Sequence, residues 1–147
     1  MRDFTVRTAI AAPPQTVWPI LADVERWPEW TASMQNVTRL DAGPLGAGSR
    51  VRVAQPKLRP ADFTITEWEP NRNFTWASST PMVWATAGHL VEPSATGSTI
   101  TLTLRFEGWA GGVAGWLMRG LVERYMAMEG AGLKQRCEAA ARAAPSA

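Results

Sequence analysis

The sequence predicts an α+β fold: a curved antiparallel seven-stranded sheet wrapped around one long C-terminal helix, with two short helices after the first strand. Three observations carry this prediction. Residues 4–10 and 98–107 alternate apolar and polar side chains, which is the period of a strand with one buried face. Turn residues divide residues 34–107 at short intervals, which favours hairpin connections. Roughly residues 113–143 show helical spacing of apolar side chains.

Length and composition limit the number of domains and the kinds of site that the chain can form. The chain has 147 residues, of which 46% are hydrophobic, 19% are charged and eight are tryptophan. These values fit a single globular domain over residues 1–147 and argue against disorder, collagen and coiled coils. One cysteine, Cys137, and one histidine, His89, exclude an intramolecular disulfide framework and the usual cysteine-rich or histidine-rich metal sites. We therefore expect no metal and no cofactor.

Charge and hydropathy narrow the class of protein. Fifteen basic and 13 acidic residues give a net charge of +2, which is too small for long-range steering of a charged partner. Residues 39–59 contain five basic residues and one acidic residue, and we interpret them as a solvated strand face rather than a surface for nucleic acid or an anionic membrane. The N-terminus lacks a signal-peptide core, and no apolar run reaches the roughly 20 residues of a membrane span. The prediction is a cytoplasmic protein without nucleic-acid binding or a membrane span.

The first elements follow from proline and from apolar spacing. The strand of residues 4–10 ends at a Pro-Pro pair, and a proline in the first turn can begin a helix. Pro19 is expected to kink that helix or end it early. Asp23 is a capping candidate for a second short helix, which carries Trp27 and Trp30.

The long helix follows a glycine-rich stretch, residues 108–115. At about 100° per residue, its apolar face is predicted to hold Leu117, Leu121, Tyr125, Met128 and Gly132, with Cys137 on the polar side. Each glycine inside a helix costs about 1 kcal/mol relative to alanine. We therefore expect close approach to the sheet, or room for a ligand, to offset the helical glycines.

Several motifs lie at the boundaries of these predicted elements. They are Ile10-Ala11-Ala12-Pro13-Pro14 with Val17-Trp18, Asp23-Val24-Glu25-Arg26-Trp27-Pro28-Glu29-Trp30, Gly48, Ile65-Thr66-Glu67-Trp68-Glu69-Pro70, Phe74-Thr75-Trp76, His89-Leu90-Val91-Glu92-Pro93, Gly97-Ser98-Thr99 and residues 124–134. Through them nearly the whole chain resembles the START-like helix-grip superfamily, and within it the bacterial polyketide cyclase/dehydrase-like group known as SRPBCC. The resemblance implies a helix-grip fold. It does not single out a function, because the superfamily includes hydrophobic-ligand carriers, cyclases and chaperone cofactors.

Whether the His89 side chain points inward decides which chemical groups are available in the predicted space between the sheet and the helix. Alternation alone leaves open which face of its strand looks inward, whereas the resemblance places Val91, and therefore His89, Ala87 and Ala85, inward. The small side chains at 85 and 87 then leave a cavity beneath the helix. An inward His89 could orient a polar ligand group or act as an acid or base. The alternatives are a core histidine satisfied by its neighbours and an exposed one.

Three charged residues are further candidates. Glu129 lies at the edge of the apolar helix face and could pair with His89 or meet a ligand hydroxyl; the alternative is a carboxylate that reaches water or Arg136. Arg124 could bind a carboxylate, or extend its head group into solvent as arginines at such edges do. Glu67 shares a strand face with inward residues, and we expect it to be either half-buried or solvated.

The predicted cavity lining comes from both sheet and helix. The proposed catalytic residues are His89 and Glu129, and the predicted ligand-binding residues are Phe63, Ile65, Trp76, Ala85, Ala87, His89, Leu102, Leu104, Leu117, Leu121, Arg124, Tyr125 and Met128. Trp76 fits either a cavity wall or the core, and Trp27 is assigned to packing. Trp84 falls on the outer face, as a candidate homodimer surface. Trp109 and Trp116 flank the entry to the long helix, at the predicted cavity mouth.

Three functions are compatible with the sequence. The favoured one is a binding protein that holds a small hydrophobic ligand, such as a lipid, polyketide or aromatic metabolite. The second is a metal-free enzyme of polyketide cyclase/dehydratase type, in which His89 moves protons with help from Glu129 or Arg124. The third is a macromolecular interaction protein that uses residues 50–59 or the Trp84 face.

Overall fold

The computed structural model describes residues 2–143. In chain order it contains β1 (Arg2–Ile10), α1 (Pro14–Ala22), a 3-10 helix (Val24–Glu29), β2 (Asn36–Arg39), β3 (Arg50–Ala54), β4 (Ala61–Glu69), β5 (Asn73–Ser79), β6 (Trp84–Ser94), β7 (Gly97–Glu107) and α2 (Gly111–Ala143). The domain predicted over residues 1–147 includes residues 1 and 144–147, which lie outside the described part of the chain.

The seven strands form one antiparallel sheet in the order β1-β7-β6-β5-β4-β3-β2. Strands β2 to β7 follow one another as a meander. β1 pairs with β7 along its whole length, with Phe4 opposite Leu104 and Ile10 opposite Ser98. The two short helices lie between β1 and β2 in the chain, and α2 packs mainly against β1 and β7. These observations confirm the predicted α+β helix-grip fold.

The two short helices close one end of the sheet. α1 has Pro14 at its first position and ends at Ala22, one turn after Pro19, as expected from the missing N–H of proline. Asp23 precedes the 3-10 helix without a capping hydrogen bond from its side chain. The two helices are instead tied together by Trp27, whose indole Nε1 donates to the carbonyl of Leu21 at 2.9 Å.

Two glycines of α2 mark where the helix lies closest to its neighbours. A Cβ added at Gly130 would lie 2.6 Å from the Thr8 hydroxyl on β1, and one added at Gly132 would lie 1.9 Å from the carbonyl oxygen of Trp30. Close approach therefore accounts for both glycines. The predicted approach to the sheet is found at Gly130, whereas Gly132 approaches the segment after the 3-10 helix. Gly120 has no such neighbour within 4 Å, so packing does not account for it.

Aromatic side chains fill the concave side of the sheet at the end covered by the short helices. Trp27, Phe74 and Trp76 form its centre, with ring centroids 5.2–6.2 Å apart. Trp18 joins them through Phe74 and Trp68. This end is a packed core, and the space under α2 opens away from it.

A β-bulge between Ile65 and Glu67 changes the register of β4 against β5. The extra residue turns the following side chains over. Glu67 is therefore exposed and accepts a hydrogen bond from Thr75, whereas Trp68 packs against the core. Simple alternation places Glu67 beside Ile65, so of the two alternatives for this residue the solvated one is correct.

The basic segment, residues 39–59, lies largely at the surface. Arg50 pairs with Asp41 at 2.8 Å and Arg52 with Asp62 at 2.7 Å. All four side chains are solvated, so these pairs contribute little stability. Among residues 2–143, none of the helices combines the length and apolar character needed to cross a bilayer.

Candidate functional site

A cavity of about 260 Å³ lies between the concave face of the sheet and α2. Its volume corresponds to roughly nine water molecules at ~30 Å³ each, which is enough for a small organic molecule. Of the residues predicted to act there, those that line it are Phe63, Trp76, Ala85, Ala87, His89, Leu102, Leu104, Leu121, Tyr125 and Glu129.

Small side chains on β6 create this space. Ala85 lies between Ser78 of β5 and Phe106 of β7, and Ala87 lies between Trp76 and Leu104. Methyl groups at two successive inward positions of a central strand leave volume that leucine or phenylalanine would fill. The cavity therefore opens at the position where the sequence predicts it.

The cavity has a closed end and an open end. Trp27 of the 3-10 helix, Met34 and His89 are buried lining residues, and we call their side of the cavity, with Glu129, the closed end. The lining also includes Leu58, Arg59, Ser78 and Met118, near the β3–β4 loop, the end of β5 and the first turns of α2, and we call this side the open end. Arg59 is exposed, so the cavity reaches solvent on this side. Aliphatic and aromatic side chains form most of the wall between the two ends.

His89 points inward and is buried. Its Nδ1 lies 3.1 Å from the carbonyl oxygen of Phe74. Because a carbonyl oxygen only accepts, Nδ1 must carry the proton and Nε2 retains its lone pair. No described residue hydrogen-bonds to Nε2. The ring stacks on Phe74 with centroids 4.1 Å apart and meets Trp27 and Trp76 at 5.4 Å. This apolar burial lowers the pKa of His89 to about 4, against an opposing effect of the Phe74 hydrogen bond, so the imidazole is neutral at pH 7.

Glu129 supplies a second titratable group to the same cavity. Burial raises the pKa of its carboxyl group to about 8, and a hydrogen bond with the Ser33 side chain opposes the rise. Its partial solvent accessibility is consistent with its place on the cavity wall. Ser33 is itself buried, with its hydroxyl 2.7 Å from that of Thr31. At pH 7 the carboxyl group is mainly protonated and can donate a hydrogen bond.

Glu129 does not pair with His89, which was one of the alternatives for this residue. Among the described residues no hydrogen bond joins the two side chains, and neither charge contributes to the pKa shift of the other. Glu129 makes no ion pair with Arg136 either in the described part of the chain, and Arg136 instead binds Glu29 at 2.7 Å. The two side chains therefore lie at separate positions on the cavity wall.

Within residues 2–143, His, Cys, Asp and Glu side chains nowhere form a group of three that could hold a metal ion.

Several helix residues predicted to face the cavity lie elsewhere, because α2 is rotated relative to the predicted face. Leu117 is 69% exposed; Arg124 is exposed and Met128 half-buried. Neither Arg124 nor Met128 lines the cavity, and Ile65 on β4 is fully buried in the core instead. The helix residues that do line the cavity are Met118, Leu121, Val122, Tyr125, Met126 and Glu129.

The buried stripe of α2 explains the rotation. It runs through Val122, Met126, Gly130, Leu133 and Cys137, at spacings of three and four residues. The close fit of Gly130 against β1 fixes this side toward the sheet. Cys137 is therefore fully buried, and its predicted polar position was wrong; burial raises the pKa of its thiol to about 12. The contact of Gly130 was the missing signal, since a small residue permits close helix packing.

Sequence reasoning missed other parts of the wall. Trp27 was assigned to packing alone, although it lines the cavity and contacts His89. Leu58 and Arg59 were missed because they belong to the loop between β3 and β4, which has no periodicity to interpret. The hydroxyl of Tyr125 donates to the carbonyl of Pro56, which ties this loop to α2 across the cavity.

The chain resembles proteins of known fold and one described family. Residues 1–138 match the model of the family described as polyketide cyclase/dehydrase and lipid transport. The Zhui aromatase/cyclase from Streptomyces sp. R1128 has a TM-score of 0.79 at 20% identity, with 99% of both chains covered. The di-domain ARO/CYC BexL from the BE-7585A biosynthetic pathway has a TM-score of 0.70 at 22% identity, covering 92% of this chain and 46% of BexL. TTHA0849 from Thermus thermophilus has a TM-score of 0.70 at 22% identity, covering 95% of this chain and 99% of TTHA0849.

These matches differ in what they show. No curated protein sequence matches the chain. The likeness to the solved structures, at 20–22% identity, shows the shared fold, and this chain spans about half the length of BexL. The family model covers residues 1–138, nearly the whole sequence. The chain therefore belongs to the polyketide cyclase/dehydrase and lipid transport family.

Proposed function

We propose that this protein binds a small, mainly apolar molecule in the cavity between the sheet and α2. One observation carries the proposal: a cavity of about 260 Å³ with a mostly apolar wall reaches solvent at one end and holds two uncharged polar groups at the other. In a domain that binds no ligand, larger side chains at these two inward positions of a central strand would fill the space and pack the core.

Burial supplies much of the binding free energy. Covering ~300 Å² of apolar ligand surface at about 25 cal/mol/Å² is worth roughly 7 kcal/mol before ordering costs. A dissociation constant near 1 μM requires about 8 kcal/mol. Hydrogen bonds from the ligand must therefore contribute, and the acceptor Nε2 of His89 and the protonated carboxyl of Glu129 are the groups that offer them.

The closed end favours a particular ligand chemistry. Both His89 and Glu129 are uncharged at neutral pH because burial opposes their ionised forms. A carboxylate placed there would lose its hydration without gaining an opposite charge. We therefore propose a ligand whose inner end carries a hydroxyl or carbonyl group, as in a polyketide, a phenolic metabolite or a neutral lipid.

A second candidate is an enzyme of polyketide cyclase/dehydratase type. The observation in its favour is that Glu129 has a pKa of about 8 in the same cavity as a neutral imidazole, so its carboxyl could protonate a carbonyl near neutral pH. His89 is less suited to be the base, since a conjugate acid with a pKa of about 4 has a weak driving force for taking a proton. Arg124, being exposed, is not a candidate for this chemistry.

A matched pair of variants tests the binding proposal. Ala87→Leu fills the cavity, whereas Ala9→Leu adds the same atoms at an exposed position of β1. Native mass spectrometry of freshly purified protein, and binding of a fluorescent naphthol, should show ligand uptake by the wild type and by Ala9→Leu. Ala87→Leu should lose it while keeping the circular dichroism spectrum. A ligand-free wild type that binds no member of a panel of phenols, polyketides and lipids would overturn the proposal.

The same protein tests the enzyme candidate. A polyketone substrate that binds and is converted, with loss of turnover but not of binding in Glu129→Gln, would support catalysis. Binding without conversion at any pH between 6 and 9 would leave the binding function alone.

A further inference from the structure

We propose that the end of the molecule at which the cavity opens docks on an anionic lipid bilayer. Six large apolar side chains are exposed in the described part of the chain, and together we call them the apolar rim: Met82, Trp84, Trp109, Val113, Trp116 and Leu117. The docking extends the proposed function, on which it rests in part, because it names the source from which an apolar ligand enters the cavity.

Two loops bring the rim together. The N–H of Ala110 donates to the carbonyl of Met82 at 3.2 Å. A Cβ added at Gly108 would lie 2.5 Å from the same carbonyl oxygen, so the loop before α2 lies directly on the turn between β5 and β6. Trp84 begins β6 opposite Glu107, the last residue of β7. Met82, Trp84 and Trp109 therefore belong to one end of the sheet.

The helix part of the rim leads to the cavity mouth. Val113, Trp116 and Leu117 are three and four residues apart, so they share one face of α2. Met118 and Leu121, which follow along the helix, line the cavity. An apolar ligand passing from the rim into the cavity therefore meets apolar side chains along its path.

The exposed area of the rim is comparable to the largest apolar patch of a typical monomer. Trp84, Trp109 and Trp116 are 54%, 78% and 62% exposed, which amounts to roughly 400 Å² for the three rings together. The largest apolar patch on a typical monomer measures ~300–600 Å² in total and is often functional. Such a surface is expected to bind a partner or a membrane.

The charge around the rim favours an anionic bilayer. Residues 77–91 and 108–122, which carry the whole rim, contain a single formal charge, that of Arg119. Lys57 and Arg59 lie in the β3–β4 loop, and Arg59 is at the open end. They belong to the basic segment that we interpreted from the sequence as a solvated face, and for these two residues we revise that interpretation. The adjoining carboxylate of Glu107 lies 3.9 Å from Arg105, which also binds Asp3 at 2.8 Å, so these three side chains together carry one negative charge. Tryptophan prefers the membrane interface, and basic residues beside it are attracted to anionic head groups.

A second copy of the chain fits this surface less well. A two-fold interface would bring the same patch of each copy together. The Arg119 and Arg59 side chains of both copies would then lie in one interface, and this surplus of like charge would oppose association. We therefore take dimerisation as an outcome that would overturn the proposal.

Cosedimentation with vesicles tests the docking. The probes are phosphatidylcholine vesicles with and without phosphatidylglycerol, and tryptophan fluorescence serves as a second readout. The wild type should bind the anionic vesicles with a blue shift of its emission. Trp109→Ser combined with Trp116→Ser should abolish both. Arg119→Glu should weaken partitioning roughly 5- to 30-fold, whereas Arg7→Glu, an exposed arginine of β1, changes the net charge equally and should leave it unchanged.

Controls separate this proposal from ligand binding. Uptake of a water-soluble naphthol, measured without vesicles, should be the same in the wild type and the Trp109/Trp116 double variant. Failure of the wild type to bind naphthol or any other small ligand would contradict the proposed function but not the docking. Three results would overturn the docking itself: no binding to anionic vesicles, binding that the double variant retains, or a wild-type dimer that the double variant converts to a monomer.

Discussion

His89 stacks on the ring of Phe74 with centroids 4.1 Å apart and at the same time donates from Nδ1 to the carbonyl oxygen of Phe74 at 3.1 Å. One residue thus fixes both the plane of the imidazole and its tautomer. The remaining nitrogen, Nε2, is left as a hydrogen-bond acceptor at the closed end of the cavity. Four predictions concern this site and the helix that covers it.

The tautomer of His89 is directly measurable. Because it is the only histidine, a ¹⁵N-histidine spectrum contains one pair of ring signals. We expect a protonated Nδ1 and an unprotonated Nε2 at pH 7, with no titration down to about pH 5, since burial lowers the pKa to about 4. A titration centred near pH 6.5 would show instead that the ring is solvated.

Stability should decline between about pH 6.5 and pH 8 because of Glu129. Its pKa is raised from 4.5 to about 8, so over that range the unfolded chain has released a proton that the folded chain keeps. His89 has the opposite effect between about pH 4 and 6.5, where only the unfolded chain binds a proton. The two effects cancel from about pH 4.5 to 6.5. Above that range the effect of Glu129 dominates, and the net loss of stability by pH 8 is about 1 kcal/mol.

Urea unfolding at pH 6.5 and pH 8 measures this decline. Glu129→Gln cannot ionise and should be insensitive to this change of pH. Glu123→Gln, at an exposed site on the same helix, should behave as the wild type. A decline of equal size in Glu129→Gln would assign the effect to other groups.

Tyr125→Phe should loosen the β3–β4 loop over the cavity. The variant loses the hydrogen bond to the Pro56 carbonyl, which is worth about 1 kcal/mol of stability. Ligand association and dissociation should both become faster, with little change in Kd, when followed by stopped-flow fluorescence. Thr66→Val removes a comparable hydrogen bond to the carbonyl of Thr75 on an exposed part of the sheet and should leave these rates unchanged. Identical rates in Tyr125→Phe and the wild type would show that the loop does not limit exchange.

Alanine at two glycines of α2 should have opposite effects. Gly120→Ala adds a methyl group in open space and should stabilise the protein by about 1 kcal/mol, the difference in helix propensity. Gly132→Ala places a Cβ 1.9 Å from the carbonyl oxygen of Trp30, so backbone must move and stability should fall. Differential scanning calorimetry gives both changes in Tm. An equal gain from both variants would mean that α2 lies farther from Trp30.

Much of the fold could be predicted from local pattern. The alternation of β7 and the proline that begins α1 each determine one element, and they agree with the structure because the side-chain period of a strand and the φ of proline are local properties. The inward direction of His89 also follows from strand alternation, once the resemblance has chosen the face. The cavity follows from the inward positions of Ala85 and Ala87.

What sequence could not predict depends on contacts between distant segments. The bulge after Ile65 depends on pairing with β5, so alternation misplaced Glu67. The rotation of α2 depends on the contact of Gly130 with Thr8, which lies over a hundred residues away. The same rotation exposed Leu117 and buried Cys137. The open end was missed because Arg59 belongs to an irregular loop.

The pairing of β1 with β7 has a consequence for biosynthesis. Residues 2–10 find their partners only at residues 98–106, and the contact of α2 with β1 at Gly130 comes later still. During synthesis the edge of β1 therefore stays unpaired until most of the chain has left the ribosome. Contacts of such long sequence separation also form slowly. The cavity is not covered on its helix side until α2 has been synthesised. A ligand can be retained only by the finished chain, and a chain that stops before α2 exposes its apolar sheet face to aggregation.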